Sequence, residues 1–429
     1  MWRRFRRASD SDISGLEQSR WAFERGQIDG WCWVSLTVSS ELRRRRNGVF
    51  LLFGISGFVF ANWAARLPGI RDNLDISPAE VGLFLFGGAA GAILGLAFAA
   101  HVIAYLGERR TMLIFMLTAL TAVGTVGFVS VYLPSIIVAV GAMVFFGIGA
   151  STTDVAMNIE GAEVERELGR TIMPWFHALF SLGTAFGGGI AAAASALGIG
   201  VDWHLGVIAL ALVPLTIYSV HLMGGPASRG SQDNPEERST VGERLGVWKE
   251  GRTILIGLVG LSMALAEGSA NDWLALGMVD DRGFSNATGA LWFVLFVSAM
   301  TAGRIVGVPL IDRVGRVAAL RLSALSAFAG LALLILIENT VVSVIAVVLW
   351  GLGSALGFPV AMSAAADDPK RGPARVSAVA TLAYGAFLIG PPIIGGLAEV
   401  FGVLNSLWVV AALVAAGYLA IPATKRQDA

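Results

Sequence analysis

Apolar residues fall in long unbroken runs along this chain, separated by short polar breaks, with none of the alternation that marks a half-buried strand. Crossing about 30 Å of hydrocarbon at 1.5 Å per residue takes a helix of about 20 mostly apolar residues. Twelve runs reach that length, near residues 48–67, 79–105, 111–131, 134–158, 172–198, 204–223, 253–278, 286–311, 317–337, 341–364, 375–399 and 403–422. Their length and their richness in Ala, Leu and Gly disfavour a β-barrel, whose strands are short segments of alternating polarity. The pattern predicts an all-α integral membrane protein with twelve spans.

Composition narrows the function classes. Of 429 residues, 55% are apolar and 14% charged, against about 25% charged in a soluble domain. That excludes a soluble enzyme and a disordered chain. The 53 glycines match helices that pack closely within a bilayer. Equal numbers of basic and acidic residues, 31 each, leave no electrostatic footprint for nucleic acid. The single cysteine, Cys32, excludes an internal disulfide and a cysteine cage for zinc or iron–sulfur.

Basic residues test the span count, because an even number with both ends on one side assigns every loop to a face. With both termini cytoplasmic, 27 of the 31 Lys and Arg fall on the cytoplasmic side; Arg66, Arg71 and Arg282 lie outside and Arg304 lies within the eighth run. Residues 1–47 carry ten arginines and Trp2, Trp21, Trp31 and Trp33 but no run able to span, so no stable fold is expected there. Two readings of that region stand side by side: a basic cytoplasmic tail on anionic lipid, or an upstream start codon, with translation beginning near Val38. Residues 224–252, with five basic and five acidic residues, read as a cytoplasmic linker between an N-terminal bundle (48–223) and a C-terminal bundle (253–424). Residues 425–429 are a short cytoplasmic tail.

The two bundles can be laid over each other. Gly95 and Gly107 answer Gly303 and Gly315 at an offset of 208, as Ser77-Pro78-Ala79 answers Ser285-Asn286-Ala287. Asn62-Trp63 meets Asp272-Trp273, Gly147-Ile148-Gly149 meets Gly351-Leu352-Gly353, and Gly188-Gly189 meets Gly395-Gly396. A nearly constant offset across five helix pairs points to duplication, and two parallel six-helix repeats, pseudo-symmetric about an axis along the membrane normal, describe the major facilitator fold.

The residues themselves bear a resemblance. Gly303-Arg304-Ile305-Val306-Gly307 followed by Asp312-Arg313-Val314-Gly315-Arg316 resembles the major facilitator signature after the second and eighth spans. In that family the glycines let two helices approach, and the Asp and basic residues form a charged latch that holds one conformation. The first copy keeps Gly107, Arg109 and Arg110 but has Ala104 and Tyr105 at the family's Asp and basic positions, which puts a first-half latch in doubt. The stretches Asn62 to Pro68, Asp154 to Asn158 with Glu163, Met173-Pro174 to Phe176-His177, and Gly390-Pro391-Pro392 with Gly395 resemble the MosC-like branch of bacterial carriers, related to sugar permeases. The resemblance covers roughly residues 45–424. It implies a multi-pass carrier of a bacterial cytoplasmic membrane, with spans 1, 4, 7 and 10 lining a cavity whose site lies near the bilayer midplane.

An ionisable side chain at that depth costs at least about 2.5–3.5 kcal/mol, so each is a functional candidate. Asp154 and Asn158 share one face of the fourth span. Asp154 is read as a proton-coupling carboxylate, with an ion pair or helix cap as its structural alternative. Glu267 and Asn271 repeat the spacing in the seventh span, inside a Glu-Gly-Ser-Ala-Asn-Asp run polar enough to break the helix locally. Glu267 is read as holding solute or proton, and Asp272 as lying nearer the outer mouth. Phe58, Asn62 and Arg66 form a stripe on the first span with Trp63 beside it, and an amide next to an aromatic wall suits a hydroxylated solute. The expected solute contacts are therefore Asn62, Trp63, Asn158, Glu267 and Asn271. Arg66 is expected to snorkel or to pair with Asp272 across the halves. His177, near the inner end of the fifth span where the two halves should meet, is either a proton relay or a packing histidine. Arg304 belongs with the latch set of Asp312, Arg313, Gly315, Arg316, Gly107, Arg109 and Arg110.

No phosphate-binding loop, zinc-type His pair or Gly-x-Ser-x-Gly elbow occurs, so an ATP-driven pump or membrane hydrolase lacks its parts, and no metal or cofactor is expected. The expected partners are a small solute, protons and the lipid bilayer, with the monomer as functional unit. The leading reading is secondary active transport of a sugar, polyol or amino-polyol with protons. Its rivals are proton-driven efflux of drugs or metabolites and a transporter-like sensor or assembly factor without flux. The stretch Gly183 to Gly189 lacks the proline of the usual antiporter pattern, which counts against efflux.

Overall fold

Long apolar runs with internal backbone hydrogen bonding are the one open-ended way to cross hydrocarbon, and the computed structural model forms twelve such helices among its described residues. It describes residues 39–224, 246–368 and 371–426. The helices are α1 (Ser40–Ala64), α2 (Pro78–Leu106), α3 (Glu108–Tyr132), α4 (Ile136–Leu168), α5 (Met173–Ala196), α6 (Val201–Leu222), α7 (Gly251–Asp280), α8 (Asn286–Val314), α9 (Arg316–Leu336), α10 (Thr340–Ala365), α11 (Gly372–Phe401) and α12 (Val403–Thr424). The described residues contain no strand. Residues 1–38, with both readings of the amino-terminal region, and most of the central linker lie outside the described residues.

The duplication recurs in backbone geometry. Ser77 caps α2 through Glu80 in a reciprocal capping box, and Ser285 caps α8 by accepting from the Thr288 amide. The tight turns after α2 and α8 are made by Gly107 at φ 77° and Gly315 at φ 80°, a backbone region costly for any side chain. Within each half, helices approach at small residues: a Cβ on Gly147 would lie 2.0 Å from the Gly88 carbonyl oxygen, fixing the α2–α4 crossing.

Two helices outrun their sequence-predicted bounds by two turns or more. The fourth continues ten residues past 158, because Glu160 and its neighbours are paired with basic side chains rather than free to unwind the turn. The first begins at Ser40 rather than 48, carrying Arg43 to Arg46 in its first turns.

The halves touch through α2 against α11 and α5 against α8. We call the end carrying residues 44–47 and 425–426 the terminal face. The tight seams lie toward the opposite end, with Gly82 against the Pro391 carbonyl, Gly395 against that of Pro78, and Gly188 against Phe293 and Val294. Polar clasps cross the same end: Arg71 donates bidentately to Asp280, at 3.0 Å for one bond, and Asn286 donates to Asp72 at 2.9 Å. The Ala79 amide donates to Glu399 at 3.2 Å.

Candidate functional site

The seventh helix supplies the first unusual local feature. Its Glu-Gly-Ser-Ala-Asn-Asp run does not break, but residues Ala270–Leu274 are wound as a π turn, a rare form that recurs at functional positions. Across this widened turn, Glu267 and Asn271 both line one cavity. The Asn271 side-chain oxygen is buried with no protein partner, so it is free to accept from a ligand.

That cavity has a volume of about 180 Å³ and lies between the halves. The first half contributes Phe60 from α1, Asp154 from α4, and His177, Phe180, Ser181 and Thr184 from α5. The second contributes Glu267 and Asn271 from α7 and Val297, Met300 and Arg304 from α8. Arg304 donates through Nη2 to Glu267 Oε1 at 3.1 Å and remains 39% exposed, so the guanidinium keeps donors facing the cavity. Asp154 is open to the same space, and its one polar contact among the described residues is from Asn158 Nδ2 at 3.2 Å on its own helix. The His177 ring meets the edge of Phe53 at 5.1 Å between centroids.

Asp154, His177, Glu267, Asn271 and Arg304 are thus gathered in one place. The other predicted contacts sit elsewhere. Asn158 is turned back onto the Asp154 carbonyl and carboxylate. Asn62 is fully buried, donates to its own Phe58 carbonyl at 2.8 Å, and packs on Gly187 of α5. Trp63 is wedged edge-on against Phe60, Phe84 and Phe146. The cavity face of α1 is the Phe60 side, about half a turn around the helix from the Phe58–Asn62 stripe. Arg66 donates to the Ile199 carbonyl at 2.7 Å instead of reaching Asp272. Burial pulls its pKa below the ordinary arginine value, partly offset by Asp202. Asp272 is half-buried and has no ion pair among the described residues.

At the terminal face, charge clusters repeat with the fold. In the first half, Glu160 accepts from Arg45 at 2.9 Å and lies 3.9 Å from Arg109. In the second, Asp367 accepts from Arg316 at 2.6 Å and lies 3.6 Å from Arg252. Arg45 and Arg252, Arg109 and Arg316, and Glu160 and Asp367 are each 207 residues apart. Four of these groups, Arg45, Arg252, Glu160 and Asp367, escaped the sequence reading, and applying the repeat offset to charged positions would have found them. Glu250 adds a second bridge, to Arg371 and Arg375 at 2.7 Å each. Glu108, Glu160 and Glu163 bring carboxylate oxygens within 4.8 Å of one another, a spacing open to a cation. Arg45 and Arg109 already occupy that cluster, so its charge is compensated by guanidinium. Asp312, Arg313 and Arg110 are exposed and hold no ion pair among the described residues.

Comparison with known proteins agrees with this architecture. The profile described as Major Facilitator Superfamily matches residues 49–386 and again 256–428. An uncharacterized transporter of Sinorhizobium fredii is 30% identical over 356 residues, covering 82% of this chain and 90% of the relative. The membrane protein MosC of Rhizobium meliloti is 27% identical over 363 residues, covering 84% and 85%. Among solved structures, the nucleoside transporter NupG superposes with a TM-score of 0.72 at 13% identity, over 90% of this chain and 100% of that one, a likeness of fold alone. Twelve apolar helices in two repeated halves, a cavity lined by both, and these matches lead to one conclusion: the chain belongs to the major facilitator superfamily, in its MosC-like branch, and is a membrane transporter.

Proposed function

We propose that this transporter carries a small polar solute, of the sugar, polyol or amino-polyol class, by alternating access coupled to protons. The reading is carried by one observation: Asp154 from the first half meets the Glu267–Arg304 pair from the second in a single cavity. Ser181, Thr184 and Asn271 add neutral groups suited to hydroxyls. Arg304 already compensates Glu267, whereas the polar contact made to Asp154 is an amide of its own helix. Occluding an ionised Asp154 would strand a charge at membrane depth, at a cost of at least about 2.5–3.5 kcal/mol. A proton, or a cationic group on the solute, removes that cost. Asp154 is therefore the coupling group, His177 on the adjacent wall relays protons to it, and Glu267 parts from Arg304 when solute or proton takes the place of that bond.

Clustering of basic residues at the terminal face makes that face cytoplasmic in a bacterial inner membrane. With the opposite end clasped, the structure is then the inward-facing state. Asp312, Arg313 and Arg110, exposed and without an ion pair among the described residues, become latch contacts when the halves close at that end. One chain completes the cavity, so the monomer is the functional unit.

Proton uptake on ligand binding, measured in weakly buffered detergent solution, tests the assignment. Ligands come from a thermal-stability screen of sugars, polyols and amino sugars. Binding to the wild type is expected to change the number of bound protons, and binding to Asp154→Asn to leave it unchanged. The same proton change in both proteins contradicts the role given to Asp154.

A further inference from the structure

The polar cavity adjoins a second one across Phe60, Asp154 and Phe180, so the two lie side by side as lobes. A second lobe of about 370 Å³ shares Phe60, Asp154 and Phe180 with it and extends between α1, α2, α3 and α4 of the first half and α11 of the second. Its walls differ in chemistry. Phe146, Met116, Met157, Ala89 and Ala92 line it from the first half, and Tyr384 and Phe387 face them from the second. Beyond Asp154 at the junction, its polar groups are the Ser56, Ser151 and Tyr384 hydroxyls. Ser56 and Ser151 spend theirs on carbonyls of their own helices, Leu52 and Ile148.

Size separates the two lobes as well. Ligand pockets occupy roughly 300–1,000 Å³, so the polar lobe, at about 180 Å³, is small for a complete ligand. The apolar lobe at about 370 Å³ brings the combined space into range. A free polyol would fill the polar lobe and leave a larger apolar space beside it, bounded by aromatic rings and flexible methionines, surfaces that gain from burying hydrocarbon or a planar ring. Asp154 sits where a head group would join its body, so a hydroxyl or amine there meets the carboxylate while the attached substituent enters the apolar lobe.

We infer that the solute is amphipathic: a hydroxylated or amino-bearing head, held by Asp154, Glu267, Asn271 and Arg304, joined to an apolar or aromatic body held between Phe60, Phe180 and Tyr384. This deepens the proposed function and rests on its placement of the polar head. Within the sugar, polyol or amino-polyol class already proposed, this selects members that carry an aryl or alkyl substituent, such as an aryl or alkyl glycoside or a substituted amino sugar.

Thermal stabilisation of the purified full chain in detergent reads this directly. The probes are glucose, glucosamine and myo-inositol, each compared with a derivative carrying one phenyl or benzyl group. At least one derivative is expected to bind about tenfold to hundredfold more tightly than its free head, the gain that burying one such ring supplies. Tyr384→Ala, at a position 40% exposed, should shrink that ratio. Ala92→Phe, which narrows the lobe without removing a contact, should shrink it too. Equal binding of free and substituted heads, an unchanged ratio in both variants, or no stabilisation by any of the six overturns the inference. Proton uptake on binding is read separately: tight binding of a derivative without Asp154-dependent proton uptake would leave the two-lobed ligand standing and remove proton coupling.

Discussion

Arg304 and Glu267 compensate each other where neither could stand alone. Glu267 is 20% exposed and Arg304 39%, so the pair is half withdrawn from water, and removing one partner leaves the other uncompensated. Glu267→Ala should therefore lower stability by about 1–3 kcal/mol, and the double change with Arg304→Ala should recover part of that loss, as thermal melts in detergent would record. A double variant no more stable than the single one would mean that the pair is not coupled. Glu250 behaves differently because it lies at the terminal face outside the spans. Burial works to raise its pKa, but hydrogen bonds from Arg375, Arg371 and Thr253 outweigh it and hold the carboxyl below the ordinary glutamate value of 4.5. A carboxyl depressed in the folded state contributes stability fully above its unfolded pKa and loses it as pH falls through the lowered folded one. The melting temperature should thus fall more steeply with acid below pH 4.5 in the wild type than in Glu250→Gln; parallel curves would deny Glu250 this role.

Helix placement and helix rotation were not equally legible in the sequence. Twelve spans could be counted because membrane thickness sets a length that every run must meet. The face of α1 that lines the cavity could not be read, since beyond its basic first turns this helix is apolar on nearly every side and the amide of Asn62 donates back to the Phe58 carbonyl. Asp154, Glu267 and Asn271 were legible for the opposite reason: polar groups at mid-span are few and need a dry or aqueous cavity to face. The π turn of α7 was foreshadowed as a local break, and the extension of α4 was hidden because ion pairs, rather than hydropathy, sustain it. Glycine positions within one helix make the packing testable. A Cβ on Gly147 would collide with backbone of α2, whereas one on Gly141 meets nothing within 4 Å. Gly147→Ala is expected to cost about 1–3 kcal/mol, and Gly141→Ala to be neutral or stabilising by up to about 1 kcal/mol. Equal melting temperatures for the two variants would contradict the close α2–α4 crossing.

Across the whole molecule, tight contacts and polar clasps join the halves at one end, and under the proposed alternating access they belong to one of two states, with the repeat supplying the symmetry. Charge clusters 207 residues apart brace each half as a rigid body at the terminal face, while Arg71–Asp280 and Asn286–Asp72 hold the halves together at the far end. Weakening that clasp should shift the population toward the opposite opening, since a bond made in one state alone biases the equilibrium by its own strength. In a Cys32→Ser background, a cysteine placed at Val294, on the α5–α8 seam, should react faster with a polar maleimide when Arg71 is changed to Ala. An unchanged labelling rate would mean that Arg71 does not gate that end. Solute flux in proteoliposomes under an imposed pH gradient tests the central claim most directly, with a ligand that stabilises the protein as cargo. The account predicts that the gradient accelerates transport by the wild type and that Asp154→Asn still exchanges solute but no longer responds to the gradient. Gradient-driven accumulation by Asp154→Asn equal to that of the wild type would contradict it.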